Sequence, residues 1–273
     1  MKRLLSVLLT FSLLVILPVS ATAASPVAKT TTVTNEFEAM LSLNQKNDGE
    51  LAAQGYNNED INTIRNAVSL FDEHIEFLGT LSDENLLAAG YSQSQIQGIK
   101  SYNPETSTNS TRAALSGECE TFSTIDNYTG TSGRVTSEFV WTGIPAFKLT
   151  DVLITTWNNW QIKGKSANVK YTHIYGSEPS FWQAPTYQPP ESGQTSFGSG
   201  YSYPAALKDN YFYASEGYSI FTLSCQSNQH LETTARVSHA RLSLDFTYGI
   251  LGGPDISIDS GRDLLGTGRD EKP

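Results

Sequence analysis

Basic residues are scarce in this chain, and cysteine and histidine are scarcer still. Lys and Arg number 18 against 28 Asp and Glu, a net charge of −10. A nucleic-acid partner needs a basic patch that displaces counterions, so the balance argues against DNA and RNA. The four histidines, His74, His173, His230 and His239, are dispersed, with no His-x-x-x-His and no Cys-x-x-Cys. The usual zinc spacings are therefore missing, and no metal or cofactor is expected. Nucleophile motifs are missing too: "FGSGYS" around Ser199 is not a Gly-x-Ser-x-Gly elbow. No Gly-rich phosphate loop is present. After residue 19 no stretch reaches the roughly 20 apolar residues of a membrane-spanning helix.

What is present begins with the grammar of export. In "MKRLLSVLLTFSLLVILPVSATAASP", Lys2 and Arg3 are a positive start, Leu4 to Val19 are almost wholly apolar, and Ala21-Thr22-Ala23 is a small-x-small cleavage site. Residues 1–23 read as a signal peptide, so the mature protein is expected outside the cell, with no transmembrane span. In an oxidising compartment the two cysteines, Cys119 and Cys225, are expected to form a disulfide. Closing a loop of that length stabilises by about 4–5 kcal/mol in the chain-entropy model.

The chain changes its pattern midway. Residues 35–103 follow helical rules and residues 119–250 follow strand rules. Residues 104–118 are polar and open on Pro104, which reads as a linker, and 251–273 read as a flexible tail. The expected fold class is α+β: a small N-terminal helical bundle followed by an antiparallel β-sandwich-like domain.

The helical region says one phrase twice. "LAAQGYNNEDINTI" at Leu51–Ile64 returns as "LLAAGYSQSQIQGI" at Leu86–Ile99. Asn47 and Ser82 are positioned to cap a short helix, with Glu50 completing a capping box in the first copy. Gly55 and Gly90 would close those helices in the left-handed conformation, and Tyr56 and Tyr91 would pack back on Leu51 and Leu86. Asn57 and Ser92 then cap a second helix, whose Ile61 and Ile96 can staple to the same tyrosines. Each copy is thus a helix–glycine–helix corner locked by one aromatic. "AVSLFDEHIEFLG" should extend the second helix of the first copy, and the two corners should bury their apolar stripes together in a four- or five-helix bundle. The repeat is read as folding the chain, not as binding, although a Gly-aromatic corner is loosely similar to the loop of ubiquitin-associated domains.

The phrase, written Leu-x-x-x-Gly-Tyr-x-x-x-x-Ile, together with the signal peptide and a β-rich C-terminal half, resembles uncharacterised exported proteins of Gram-positive bacteria. "FVWTGIPAFKLTDVLITTWNNW", Phe139 to Trp160, is similar to a strand pair of that group. The resemblance touches half of the chain; it implies a bacterial origin and an architecture, and no activity.

Strand signals rich in Thr, Tyr, Phe, Val and Ile recur six or seven times between Cys119 and Tyr248. In the last of them Leu242, Leu244, Phe246 and Tyr248 should face the core. His239, Arg241 and Asp245 share the other face, which reads as a solvated surface before an acid–base site. His173 reads as a hydrogen-bonded residue among aromatics. One stretch, Gly176 to Pro204, reads as a long loop that is unusually aromatic. Phe181, Trp182, Tyr187, Tyr201 and Tyr203 are its candidate binding residues, able to stack on sugar rings or a protein partner, against the alternative of a lid packed on its own sandwich. No catalytic residue is assigned. The function expected is a secreted, non-catalytic binding module for a glycan or cell-envelope component. A polysaccharide or peptidoglycan hydrolase with carboxylates not visible in the sequence is the second reading, and a structural matrix component the third.

Overall fold

Every helix of the repeated phrase is short, and each starts at a side chain that caps it. The computed structural model describes residues 31–54, 56–189, 197–208, 210–239, 247–248, 254–255 and 264–272; the expected signal peptide and residues 240–246 of the last predicted strand lie outside them. The helices are α1 (Glu36–Asn44), α2 (Asp48–Ala53), α3 (Asn58–Arg65), α4 (Ala67–Thr80), α5 (Asp83–Ala88), α6 (Gln93–Lys100) and α7 (Asn109–Leu115). Asn47, Asn57 and Ser92 complete capping boxes with Glu50, Asp60 and Gln95, and Ser82 accepts from the Asn85 amide at 3.2 Å. At the second corner Tyr91 N–H donates to Leu86 O and Gly90 N–H to Leu87 O, each at 3.0 Å. These are the two bonds of a Schellman close, and Gly90 holds φ at +95°. At the first corner Tyr56 N–H donates to Leu51 O at 3.1 Å, while Gly55 lies outside the described residues. Tyr56, Tyr91, Ile64, Ile96 and Ile99 are all buried in one core with Phe71, Ile75 and Leu78.

Three local expectations are corrected. Asn66 interrupts the long helix expected from α3 into α4, with φ −97° and ψ 14°. Residues 104–118, expected as a linker, contain α7. Its Arg112 is 7% exposed and grips Asp72 of α4 through two bonds, Nε–Oδ1 at 2.6 Å and an Nη–Oδ2 contact at 2.8 Å. A fork-shaped ion pair of this kind needs no apolar periodicity, so hydropathy did not reveal it. Residues 264–272 of the expected tail form a strand, because backbone amides can extend a sheet edge whatever the side chains.

The strands are β1 (Thr32–Asn35), β2 (Glu118–Asp126), β3 (Ser132–Thr142), β4 (Thr150–Trp157), β5 (Gln161–His173), β6 (Phe181–Gln183), β7 (Thr186–Gln188), β8 (Gly198–Pro204), β9 (Ala206–Leu207), β10 (Phe212–Ser224), β11 (Leu231–His239), β12 (Thr247–Tyr248), β13 (Pro254–Asp255) and β14 (Leu264–Lys272). One seven-stranded sheet runs β1-β2-β3-β10-β5-β6, with β9 also on β10; a five-stranded sheet runs β14-β11-β4-β8-β7. All of these pairings are antiparallel. The two sheets face each other: Phe139 of β3 stacks on Tyr203 of β8 at 4.9 Å, and Phe221 of β10 meets Trp157 of β4 at 4.9 Å. Between these two apolar clusters lies a belt of buried hydroxyls. Thr155 of β4 bonds Ser137 and Ser219 at 2.9 Å, and Ser123 of β2 meets Thr233 of β11 at 3.1 Å. The fold is therefore α+β, helices first and an antiparallel sandwich after.

The expected disulfide is absent. Cys119 and Cys225 are both free. Cys119 pairs in register with Trp141 of β3, whereas Ser224, just before Cys225, pairs with Ser132 at the other end of that strand. Some nine or ten residues at about 3.3 Å each hold the cysteines roughly 30 Å apart along the sheet. A disulfide joins Cα atoms within about 7 Å. Even count and compartment suggested a bond that strand register forbids.

Helices and sandwich share a core. Glu36 at the start of α1 is fully buried, and its carboxylate accepts from the Ala146 and Phe147 amides at 2.8 and 3.1 Å. The Tyr91 hydroxyl accepts from Ile144 N–H at 3.0 Å, and Gly143 N–H donates to Ala89 O at 2.7 Å. The second corner of the repeat is thus seated on the β3–β4 connection.

Candidate binding surfaces

Most of the described part of the aromatic stretch is strand and not loop. It forms β6, β7 and β8, and those strands send its aromatics to different places; residues 190–196 within it lie outside the described residues. Tyr203 is 2% exposed, and burial pushes its hydroxyl well above the ordinary tyrosine range. Tyr201 is buried beside Phe221. Tyr187 leans edge-on to Tyr201 at 5.4 Å under the Lys165 ammonium, 3.5 Å from its ring centre. Phe181 closes the sandwich edge against Tyr171 and Phe212 at 5.7 and 5.1 Å. Trp182 alone of the five stands out, half its surface exposed. Alternation explains the split: Phe181 points in, so Trp182 points out.

Trp182 lies on the outer face of the seven-stranded sheet. It pairs with Lys170 of β5, and its ring meets Tyr218 of β10 at 5.7 Å. Phe122, Glu138 and Val140 join these rings around a shallow hollow of about 210 Å³. Register brings them there: Phe122 faces Glu138, Glu138 faces Tyr218, and Tyr218 faces Asn168. Asn168 Nδ2 donates to the Tyr218 hydroxyl at 3.0 Å, so this bond does not use the hydroxyl's own proton. Lys170 Nζ holds the Glu216 carboxylate at 2.7 Å. The hollow therefore combines a flat apolar ring with carboxylate acceptors and a hydroxyl donor. Sequence reading missed Phe122 and Tyr218, although both sit at outward positions of well-marked strands.

A second aromatic surface lies where helices meet sandwich. A cavity of about 250 Å³ opens between α4, the β3–β4 connection, the turn after β5 and the turn before β10. Tyr175 and Tyr211, 41% and 50% exposed, stand 6.2 Å apart at its rim, and Phe77 meets Tyr175 edge-on at 6.4 Å. Lys208 and Asn210 hold positive φ, +50° and +72°, in the turn that presents Tyr211. His74 Nε2 lies 3.1 Å from Ile144 O; a carbonyl only accepts, so Nε2 carries the proton. Burial holds the His74 pKa down to about 4, against the raising effect of that hydrogen bond, and Lys148 depresses it further. His173 is buried, with its Nδ1 accepting from the Tyr175 amide at 3.3 Å.

No group of three or more His, Cys, Asp or Glu side chains able to hold a metal occurs among the described residues. No described helix is long and apolar enough to cross a membrane. The buried carboxylates of Glu36 and Asp151 line neither of these hollows.

No family model and no curated protein matches the sequence. Among solved structures, the chain is similar to a collagen-binding domain from a Staphylococcus aureus adhesin, at 9% identity and a TM-score of 0.30, over 55% of this chain and 93% of that one. It is also similar to AvmM, which catalyses macrocyclization in alchivemycin A biosynthesis, at 10% identity and a TM-score of 0.20, over 43% of this chain and 72% of that one. Likeness at this level bears on neither ligand nor chemistry.

Proposed function

We propose that the protein is an exported, non-catalytic binding module that takes a glycan of the cell envelope or its surroundings on the outer face of its seven-stranded sheet. One observation carries this reading: a tryptophan half exposed to water, braced by Tyr218 at 5.7 Å, above a hollow edged with carboxylates. An exposed indole on a polar sheet face is costly to hydrate and suits stacking on the C–H face of a sugar ring. Glu138, Glu216 and the Tyr218 hydroxyl are the hydrogen-bonding partners that sugar hydroxyls need. Export is supported by the charged start, apolar run and small-x-small site in residues 1–23, and the likeness to exported Gram-positive proteins is part of the same proposal.

Co-sedimentation of mature protein with purified cell wall and a panel of insoluble polysaccharides tests it, beside Trp182→Ala and Tyr218→Ala. Losing a central aromatic anchor removes about 2 kcal/mol or more, so retention by at least one glycan should fall by tenfold or more in both variants. Unchanged retention in the variants, or no retention of the wild type by any of the panel, refutes the reading.

A further inference from the structure

We propose that the cleft between α4 and the sandwich is a second, separate binding site, built for a single six-membered ring that carries a carboxylate, an acidic sugar in the first instance. Its size is the first argument. At about 250 Å³ it exceeds the roughly 150 Å³ that holds a benzene ring and falls short of the 300–1,000 Å³ of drug-sized ligands. One substituted ring fits.

Its walls are the second. Tyr175 and Tyr211 expose their rings at the rim and Phe77 stands behind Tyr175. Together with the Trp182 face, these two tyrosines account for every large aromatic side chain strongly exposed among the described residues. Such rings favour a flat ligand with an apolar face.

Charge is the third. The chain is strongly acidic, yet no Asp or Glu among the described residues lines this cleft, and Lys148 does. No ion pair within 4 Å joins Lys148 to any described carboxylate. Glu59 and Glu73 line an adjoining hollow that shares Lys148, His74 and Phe77 with the cleft, and neither comes within ion-pair distance of Lys148. Partial burial takes water from the Lys148 ammonium and pulls its pKa down, and no described carboxylate stands within ion-pair distance as a counter-ion. A ligand carboxylate would supply that counter-ion. His74 completes the set: with Nε2–H given to Ile144 O, the neutral ring keeps a bare Nδ1, an acceptor for a ring hydroxyl.

The site also depends on the union of the two halves, since α4 supplies His74 and Phe77 while the sandwich supplies Tyr175, Tyr211 and Lys148. It owes nothing to the Trp182 face, and the test separates them. Full mature protein is titrated with glucuronate and with glucose, followed by NMR shifts of the Ile144–Lys148 amides. Glucuronate should shift these amides, with glucose at least tenfold weaker. Lys148→Gln should bring glucuronate to the level of glucose, and Tyr211→Ala should weaken it tenfold or more, with melting curves confirming that both variants are folded. Trp182→Ala should change nothing. Equal binding of the two sugars, no shift with glucuronate, indifference to Lys148→Gln, or loss in Trp182→Ala overturns the proposal.

Discussion

Gly90 offers a sharp test of the reasoning that connects the repeated phrase to the fold, because Gly79 supplies its control. Both are glycines of the helical region, and both can be changed to alanine. Gly90 closes α5 at φ +95°, and a Cβ built on it meets Thr142 Cγ2 at 3.2 Å. The left-handed conformation costs an L-residue about 1–2 kcal/mol, and the tight contact adds to it. Gly79 lies inside α4 without a positive φ, and its Cβ would meet nothing nearer than Ile99 O at 3.7 Å. There alanine removes unfolded-chain freedom and stabilises by about 0.5–1 kcal/mol. At about 2–4 °C per kcal/mol for a chain of this size, Gly90→Ala should lower Tm by about 2–8 °C and Gly79→Ala should raise it by about 1–4 °C. Gly90→Val should fall further than Gly90→Ala, since branching at Cβ narrows its backbone choice. Melting followed by far-UV circular dichroism reads all three. If Gly90→Ala is neutral or stabilising, the corner is not closed by glycine geometry, and the account of the repeat fails.

Three more outcomes are expected. Thiol titration of denatured, unreduced protein should find two free thiols, with only Cys225 reacting quickly in the native state, because Cys119 is fully buried and burial pushes its thiol far up; finding none would restore the disulfide. His74 is held near pKa 4 in the fold against about 6.5 unfolded, so the unfolded chain binds the extra proton between these values. Stability should therefore be fully present above pH 6.5 and fall as pH drops toward 4, by at most about 3 kcal/mol, since His74 is only part-buried and lines the cavity; denaturant melts of His74→Gln should lose that slope. Arg112→Leu should cost about 3–5 kcal/mol in denaturant melts by leaving Asp72 without its guanidinium in a part-buried place, and a loss below about 1 kcal/mol would show that α7 is merely laid on the surface.

Local features are legible in the sequence. Capping residues, the closing glycine and the tyrosine that follows act within a few residues, so Asn57, Ser92, Gly90 and Tyr91 can be assigned from spacing alone. Alternation likewise marks the inward Val135, Phe139 and Phe221 as core. The aromatic stretch is less readable. Composition shows that Phe181, Trp182, Tyr187, Tyr201 and Tyr203 belong together, but three short strands in two sheets share them out, and pairing partners far along the chain decide which face each one takes. Tyr211, Lys148 and His74 carry no sequence signal at all, because nothing local relates a helix of the first half to two turns of the second.

The sequence by itself determined the helical corners, the strands β2, β3, β4, β5 and β10 and the acidic charge, all properties set by composition or by neighbours within a turn or a strand. Tertiary structure alone decided that Cys119 and Cys225 stay apart, that α7 is bound through Arg112 and Asp72, and that Trp182 faces water while Tyr203 does not. These depend on register between strands and on docking of the helices against the β3–β4 connection. Such contacts join residues tens of positions apart, and the spacing of side chains along one strand or helix does not encode them.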